Sequence, residues 1–112
     1  MFRRALLELY DEKCAITGDG PAEVLEAAHI EPHSERGQNS LKNGLLLRAD
    51  IHTLFDLGLL TIDPETYEIH AHQRLVDTKY VKLQGVRVRP RVDGSMPGQE
   101  YLADRWNVTN LR

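Results

Sequence analysis

The segment NGLLLRADIHTLFDLG, residues 43–58, is the part of the chain that most narrowly restricts the fold. Asn-Gly is a turn signal, and the three leucines after it form a short apolar run. Asp50 is predicted to cap a helix, because its carboxylate can accept hydrogen bonds from the free amides that follow it. Three apolar residues then share one helical face: Ile51, Leu54 and Phe55. Gly58 is predicted to end the helix, so turn, buried strand and amphipathic helix follow one another directly.

The residues before this segment predict a helix and a first hairpin. Residues 2–11 carry apolar side chains at helical spacing, which indicates a packing helix. The stretches CAITG (14–18) and VLEAAHI (24–30) are predicted to be the two strands of a hairpin, and Pro32 closes the second strand. The polar residues 33–42 indicate a loop.

The residues after it predict a second hairpin and a terminal helix. The stretches LLTID (59–63) and TYEIHA (66–71) flank a DPET turn, which is typical of a hairpin. The stretch VKLQGVRVRP (81–90) indicates a strand that bends at Gly85, and QEYLADRWN (99–107) indicates a helix. Together the patterns predict an α+β fold.

Composition bounds the class of protein. A chain of 112 residues can form one domain, 1–112, with one modest core. The single cysteine, Cys14, excludes an internal disulfide and a Cys₄ or Cys₂His₂ zinc site, and favours a reducing, cytoplasmic setting. No apolar run is long enough to predict a membrane span. The net charge of −3 argues against holding nucleic acid by bulk electrostatics, although a local basic strip is compatible with it.

Two histidines could carry chemistry, and each also has a simpler structural reading. His52 and Asp56 are four residues apart on the predicted helix, so they share one face and could bind a divalent metal together. They could equally form a polar pair on a solvated surface. His29 ends the predicted strand 24–30, where imidazole could accept a proton from water near neutral pH. Taken alone, it could also be a half-buried structural histidine.

The ordered set of motifs resembles a known family. CAITG, then LEAAHIEPH, then NGLLLRADIHTLFDLGLLTID are similar to the HNH nuclease superfamily, whose shared unit is the ββα-metal finger. The match is nearest to the branch with an AAHI…NG…H…FD pattern, found in bacterial restriction and other antiviral defence proteins. The resemblance implies an α+β finger over about residues 14–57, an added β-hairpin and flanking helices, with residues 58–112 as a C-terminal extension.

The resemblance also implies a role for each residue of the motif. His29 corresponds to the general base that activates water, and Asn43 to the residue that ties the loop to the backbone and orients that base. His52 corresponds to a ligand of a single catalytic metal ion, and Asp56 to a further ligand in some branches. Mg²⁺ or Mn²⁺ suits such a mixed nitrogen and oxygen site, and Ni²⁺ or Zn²⁺ could also bind.

Ala28 departs from the pattern, because many relatives carry an aspartate or histidine ligand at that position. Because the chain lacks a ligand at this position, Asp56 becomes more important as a candidate ligand. His33 or Asp50 could be recruited as a replacement ligand, although a polar loop residue and a helix cap are their simpler readings.

Other basic and histidine residues have open assignments. Arg36, Lys42 and Arg48 flank the motif and are candidates for binding DNA phosphates, with solvated surface charge as the alternative. Three arginines alternate at positions 87, 89 and 91, which could form a DNA-facing strip or protect an edge strand. His70 and His72 share a strand face and could bind metal or simply face solvent.

The predicted function is metal-dependent hydrolysis of DNA phosphodiester bonds, most plausibly in double-stranded DNA and with weak sequence specificity. One alternative is an inactive module that keeps the fold and binds nucleic acid. Another is an effector domain that cuts only within a larger defence protein, next to a specificity or sensor domain. The sequence leaves the oligomeric state, the target and the activating signal open.

Overall fold

A computed structural model of the chain describes residues 1–32 and 40–110, without the side chain of Asn110. Over these residues the secondary structure comprises α-helices, strands and short 3₁₀ turns. The helices are α1 (Phe2–Leu9), α2 (Ala49–Asp56) and α3 (Gln99–Asn110). The strands are β1 (Leu25–His29), β2 (Gly44–Arg48), β3 (Leu60–Ile62) and β4 (Ile69–Ala71). The predicted α+β class is confirmed.

The first hairpin pairs different segments from those predicted. β1 pairs with β2 in antiparallel register, from Leu25 opposite Arg48 to His29 opposite Gly44. Residues 14–18 form a turn instead of a strand, closed by a hydrogen bond from the Gly18 amide to the Cys14 carbonyl at 2.9 Å. The turn reaches β2 through one backbone bond, from the Ala15 amide to the Leu46 carbonyl at 2.7 Å. The arrangement β1–β2–α2 is the predicted ββα finger.

Strand β2 lies at the centre of the core. Leu45, Leu46 and Leu47 are fully buried, because α1 packs on one side of the hairpin and α2 on the other. A strand covered on both faces needs apolar residues at consecutive positions, which accounts for the uninterrupted leucine run. Leu6 of α1 and Phe55 of α2 are the large buried residues that close the two sides.

Helix α2 begins one residue earlier than predicted. Arg48 occupies the N-cap position without a side-chain cap, and Asp50 lies inside the first turn. The predicted capping role of Asp50 is therefore wrong, because its carboxylate is engaged by the Arg48 guanidinium. The predicted end is correct: Gly58 follows the helix with φ of 75°, a left-handed conformation that favours glycine.

The second hairpin forms as predicted, whereas the segment after it does not extend into a strand. β3 pairs antiparallel with β4, with Ile62 opposite Ile69. Residues 79–83 form a 3₁₀ helix, and a single bridge between Glu68 and Arg87 is all the pairing that the described chain makes beyond it. Gly85, the predicted bend, has φ of 82°.

The prediction that Arg87, Arg89 and Arg91 form a surface strip is wrong for Arg91. Arg91 is buried, and its guanidinium donates hydrogen bonds to the Tyr10 hydroxyl at 3.1 Å and to the Gly44 carbonyl at 3.0 Å. A third bond goes to the Leu41 carbonyl at 2.6 Å. Burial raises the pKa of the Tyr10 hydroxyl, and the nearby Arg91 cation partly offsets that rise. Arg91 thus ties the loop before β2 to α1, because buried carbonyls require donors.

Helix α3 confirms the predicted terminal helix and covers the second hairpin, with Leu102 buried against it. No helix in residues 1–32 and 40–110 is long and apolar enough to cross a bilayer.

Candidate active site

His29 is the last residue of β1, and an aromatic ring from α1 fixes its position. The imidazole stacks on the Phe2 ring, with centroids 4.6 Å apart and planes inclined by 4°. Gly44, the partner of His29 across the hairpin, makes this stacking possible. A Cβ atom at Gly44 would lie 2.7 Å from Cζ of Phe2, so any larger residue would displace the ring.

Asn43 fixes the backbone that follows His29. Its side chain is buried, its Oδ1 accepts from the Glu31 amide at 2.9 Å, and its Nδ2 donates to the Glu31 carbonyl at 3.0 Å. The Asn43 carbonyl accepts from the Ile30 amide at 3.0 Å. One asparagine therefore satisfies both backbone groups of Glu31, and the chain leaves β1 in a single direction. This is the loop-bracing geometry that the family resemblance implies for Asn43.

His52 lies between two carboxylates. Its Nδ1 is 2.7 Å from Oε1 of Glu26 on β1, and its Nε2 is 3.3 Å from Oδ2 of Asp56 one helical turn later. The His52 side chain is 23% exposed, whereas those of Glu26 and Asp56 are about half exposed, at 51% and 57%. The imidazole therefore lies between two carboxylates at the edge of the protein, where solvent reaches its partners.

The His52 and Asp56 pair has the separation that a shared divalent ion requires. Two ligand atoms that each lie about 2.0–2.2 Å from one ion are roughly 3–3.5 Å apart. The observed 3.3 Å between Nε2 and Oδ2 falls in this range. Within residues 1–32 and 40–110, no three His, Cys, Asp or Glu side chains converge on one metal position. The described residues thus offer a pair of ligands at this position.

Ala28 is a core residue and not an open position. It is fully buried and, because strand residues two apart share a face, it points to the same side as Glu26. Glu26 contacts His52, so this face is turned toward α2. The position that carries a ligand in many relatives is therefore filled here by packing.

Asp50, an alternative ligand from the sequence, has other partners. Arg48 donates from Nε to Asp50 Oδ1 at 2.7 Å and from Nη2 to Oδ2 at 3.0 Å, and the Tyr80 hydroxyl donates to Oδ2 at 2.7 Å. The hydrogen bonds from Arg48 hold the pKa of the Asp50 carboxyl well below its usual range, and the same pairing raises the pKa of Arg48. The bond to Asp50 also raises the pKa of Tyr80. Asp50 thus anchors α2.

The predicted phosphate-binding residues have different surroundings. The Arg48 guanidinium is shared between Asp50 and Asp19, whose Oδ2 accepts from Nη1 at 2.9 Å. Lys42 is exposed in the 3₁₀ turn Leu41–Asn43 that precedes β2. Arg36 lies outside the described residues, as does the alternative ligand His33.

Two adjoining clefts lie at the C-terminal end of α2, and Asp56 lines the first of them. The first, of about 230 Å³, contains Asp56 together with Glu31 and Pro32, which follow His29 closely in the chain. It shares Gly58 and Thr109 with a second cleft of about 390 Å³. His70, His72 and Arg74 line this second cleft. The residues that follow His29 thus border the cleft that contains Asp56, a candidate metal ligand.

His70 and His72 have different partners. The His70 ring meets the Trp106 ring edge-on, with centroids 5.9 Å apart, and His72 Nδ1 accepts from the Arg74 amide at 3.0 Å. His72 lies beyond the end of β4 and caps a 3₁₀ turn.

Sequence reasoning missed two residues that touch the candidate catalytic groups. Phe2 was predicted only as part of a packing helix, and Glu26 was not singled out. The spacing of Glu26, two residues before Ala28, places both on one strand face, so this contact had a local sequence signal. The contact between Phe2 and His29 spans 27 positions and had none.

Comparisons with known proteins agree with this geometry. Residues 14–63 match the sequence profile of a family described as HNH endonuclease. No curated protein sequence matches the chain. Among solved structures, the fold resembles the "Modification dependent TagI restriction endonuclease", with a TM-score of 0.71 and 17% identity. That match covers 94% of this chain and 36% of the other, so this chain spans about a third of that protein. Residues 14–63, which include the ββα finger, are therefore similar to the HNH endonuclease family.

Proposed function

We propose that this domain is a metal-dependent endonuclease that hydrolyses phosphodiester bonds in DNA. The observation that carries the proposal is the His52 and Asp56 pair, 3.3 Å apart, on the helix packed against the strand that ends in His29. The family match supports the reaction class, and the structural neighbour is a restriction endonuclease.

In this proposal His52 Nε2 and Asp56 Oδ2 hold a single divalent ion, with Mg²⁺ or Mn²⁺ as the physiological choice. Ni²⁺ or Zn²⁺ would bind the imidazole more tightly, following the general order of metal affinities. The ion, when bound, neutralises charge that develops on the phosphate and on the leaving oxygen. Two protein ligands leave the remaining coordination positions to water and to phosphate oxygens.

His29 is proposed to act as the general base. A water O–H bond breaks, the proton passes to a ring nitrogen of His29, and the water oxygen attacks phosphorus as the bond to the 3′ oxygen breaks. The stacked Phe2 ring limits rotation of the imidazole, and Asn43 fixes the backbone after it. Positioning of this kind matters because reacting atoms must approach within about 3–3.5 Å in line.

DNA is proposed to lie across the two adjoining clefts. Lys42, and Arg36 outside the described residues, are the candidates for phosphate contact, and Arg74 lines the second cleft. Arg48 stays a weaker candidate, because two carboxylates already engage its guanidinium. None of these contacts reads base edges, so cutting by the isolated domain should be weakly specific. The double helix is the expected substrate.

The chain is further proposed to act as the cutting unit of a larger restriction or defence protein. The structural neighbour is described as modification dependent, and this chain covers 36% of its length. A separate domain would then recognise the modified DNA or another signal.

A plasmid assay tests the proposed function. Supercoiled plasmid is incubated with the domain and Mg²⁺, Mn²⁺ or Ni²⁺, with EDTA as the negative control. We expect metal-dependent nicking or linearisation that is lost in His29→Ala. Cutting that persists in His29→Ala would refute the base assignment. Absence of cutting with every metal, on plain and modified DNA, would favour a binding module without catalysis.

A further inference from the structure

We propose that Glu26 is a positioning residue that sets the tautomer of His52 and thereby prepares its Nε2 atom for a metal ion. The inference rests on the proposed function, since it assigns how this chain orients the proposed ligand.

The geometry favours Glu26 over Asp56 as the partner of the imidazole proton. A neutral imidazole carries one N–H, and its location follows the stronger hydrogen bond. The Nδ1 contact with Glu26 is 2.7 Å, a normal charge-assisted hydrogen bond, whereas the Nε2 contact with Asp56 is 3.3 Å. The proton therefore belongs on Nδ1, which leaves the Nε2 lone pair directed to the side of Asp56.

Metal coordination needs this tautomer. A ligating histidine is neutral and binds through a nitrogen without a proton, and its other ring N–H commonly donates to a carboxylate. If Glu26 were absent, the proton could move to Nε2 and donate to Asp56. His52 Nε2 and Asp56 Oδ2, the two proposed ligand atoms, would then be hydrogen-bonded to each other. A metal ion would have to break that bond to coordinate them.

Strand β1 places Glu26 at the Nδ1 end of the His52 ring, away from the proposed metal position. Glu26 and Ala28 point to the same side of β1, and the buried Ala28 packs toward α2 while Glu26 reaches the outer end of the imidazole. Glu26 approaches Nδ1, at the opposite end of the ring from Asp56. Its carboxylate therefore supports the ligand from behind, where it would not complete the metal shell.

Two alternatives give different outcomes. Glu26 could be a surface ion pair with no consequence for metal, since exposed pairs contribute little. It could also be a direct ligand. Glu26→Ala removes the acceptor, whereas Glu26→Gln keeps a carbonyl oxygen that can accept from Nδ1–H but is a poor substitute for a carboxylate ligand. Glu23→Ala, an exposed glutamate in the turn before β1, is the matched control for lost negative charge.

The test has two measurements. Two-bond ¹H–¹⁵N spectra of the metal-free protein, at a pH where imidazole is neutral, report which ring nitrogen of His52 carries the proton, with His52→Gln to assign the signal. Titration calorimetry with Ni²⁺ and Mn²⁺ reports affinity. We expect Nδ1–H in the wild type and in Glu26→Gln, and a shift toward Nε2–H in Glu26→Ala. We expect metal affinity to fall about 10–100-fold in Glu26→Ala, the usual effect of losing such a partner. Glu26→Gln should lose clearly less, and Glu23→Ala should match the wild type.

Each contrary result has a distinct meaning. An unchanged tautomer in Glu26→Ala, or unchanged affinity, overturns the inference while leaving the nuclease proposal intact. Equal losses in Glu26→Gln and Glu26→Ala, without a tautomer change, would identify a direct ligand and also overturn it. If the wild type binds neither metal, the proposed function fails, and the ring spectra alone still support or overturn the role of Glu26.

Discussion

The two faces of strand β1 hold their functional side chains by different physical means. On one face, the His29 imidazole stacks on the Phe2 ring of α1. On the other face, Glu26 lies 2.7 Å from Nδ1 of His52 on α2, and Asp56 lies 3.3 Å from Nε2 at the opposite end of the ring. An aromatic contact from α1 thus helps to position the proposed base, whereas a carboxylate contact from β1 helps to position the proposed ligand.

This difference suits the two tasks. A general base must keep its proton-accepting nitrogen available, and an aromatic neighbour restrains the ring without consuming that nitrogen. A metal ligand must present one specified nitrogen, and a hydrogen bond to the other selects it. Because Phe2 of α1 contacts His29 and Glu26 of β1 contacts His52, removing either support should leave the other in place.

The largest expected effect separates the base from the ligand. His29→Ala should lower the plasmid cutting rate by about 10²–10⁴-fold, the usual effect of losing a general base. We expect a loss of similar size in His52→Ala, because the metal ion would no longer be held. Only His52→Ala should also lose affinity for Ni²⁺ in calorimetry. Loss of metal affinity in His29→Ala would mean that His29 is itself a ligand. The proposed division of roles between the two faces of β1 would then be wrong.

A second test asks whether Ala28 is a missing ligand or a core position. Ala28→Asp should destabilise the fold by about 2–4 kcal/mol, since it buries a carboxyl group without a partner. Urea unfolding at pH 7 would measure this, with Ala27→Asp on the opposite, half-buried face as the comparison. Unchanged stability together with tighter Ni²⁺ binding would show instead that the position is an available metal site.

The sequence predicted well what depends on local pattern. Helix α2, its end at Gly58 and the second hairpin follow from turn residues and apolar spacing over short distances. The ββα order and the four motif residues came from the family resemblance, and residues 14–63 match that family. These features depend on residues that are close together in the sequence, so the sequence alone is enough to predict them.

The failures arose where a distant partner competes with a local preference. CAITG has strand-like residues, yet β1 pairs with β2, because the GLLLR strand offers a fully buried partner. Asp50 is a good capping residue by type, but Arg48 and Tyr80 engage its carboxylate. Arg91 was predicted to belong to a surface strip, whereas the carbonyls of Leu41, before β2, and of Gly44, within it, accept hydrogen bonds from its buried guanidinium. These partners lie up to 81 positions away, so no local pattern specifies them.

On the α1 face, shortening Phe2 should affect catalysis without affecting metal. Phe2→Ala removes the ring that stacks on His29, and we expect the cutting rate to fall about 10-fold through lost positioning. Affinity for Ni²⁺ should stay within twofold of the wild type. Leu9→Ala, a partly buried residue of the same helix, controls for general weakening of α1. Equal losses in both variants would assign Phe2 to stability alone.

On the α2 face, the Asp50 anchor gives a stability that depends on pH. The folded-state pKa of Asp50 lies below its unfolded value, so its contribution is complete above about pH 4 and is lost as pH falls further. Asp50→Asn should cost about 1–2 kcal/mol at pH 7, a value reduced for partial exposure. Urea unfolding at pH 7, 5 and 3 should show that the difference from the wild type narrows only at pH 3. Asp77→Asn, at an exposed aspartate in the segment after β4, is the control. A difference that stays constant with pH, or one that Asp77→Asn reproduces, would contradict the anchoring role of Asp50.

The smallest effect concerns the cations that could receive DNA. Lys42 is exposed beside the loop that follows the proposed base, whereas Arg48 is engaged by Asp19 and Asp50. A cation that neutralises one phosphate releases about 0.9 counterion on binding, and a cation already paired within the protein releases fewer. Lys42→Ala should therefore weaken binding of a duplex a few-fold and lower the log–log salt slope by about 0.9.

Arg48→Ala is the matched comparison for Lys42→Ala. It should lower the free energy of unfolding, because Asp50 loses its main partner, but it should leave the salt slope unchanged. Fluorescence anisotropy with a labelled duplex, at several salt concentrations and with EDTA to prevent cutting, measures both slopes. If Arg48→Ala lowers the salt slope as much as Lys42→Ala does, Arg48 also contacts DNA phosphate. That result would also mean that DNA competes with Asp19 and Asp50 for the same guanidinium, so that binding and the anchoring of α2 are coupled.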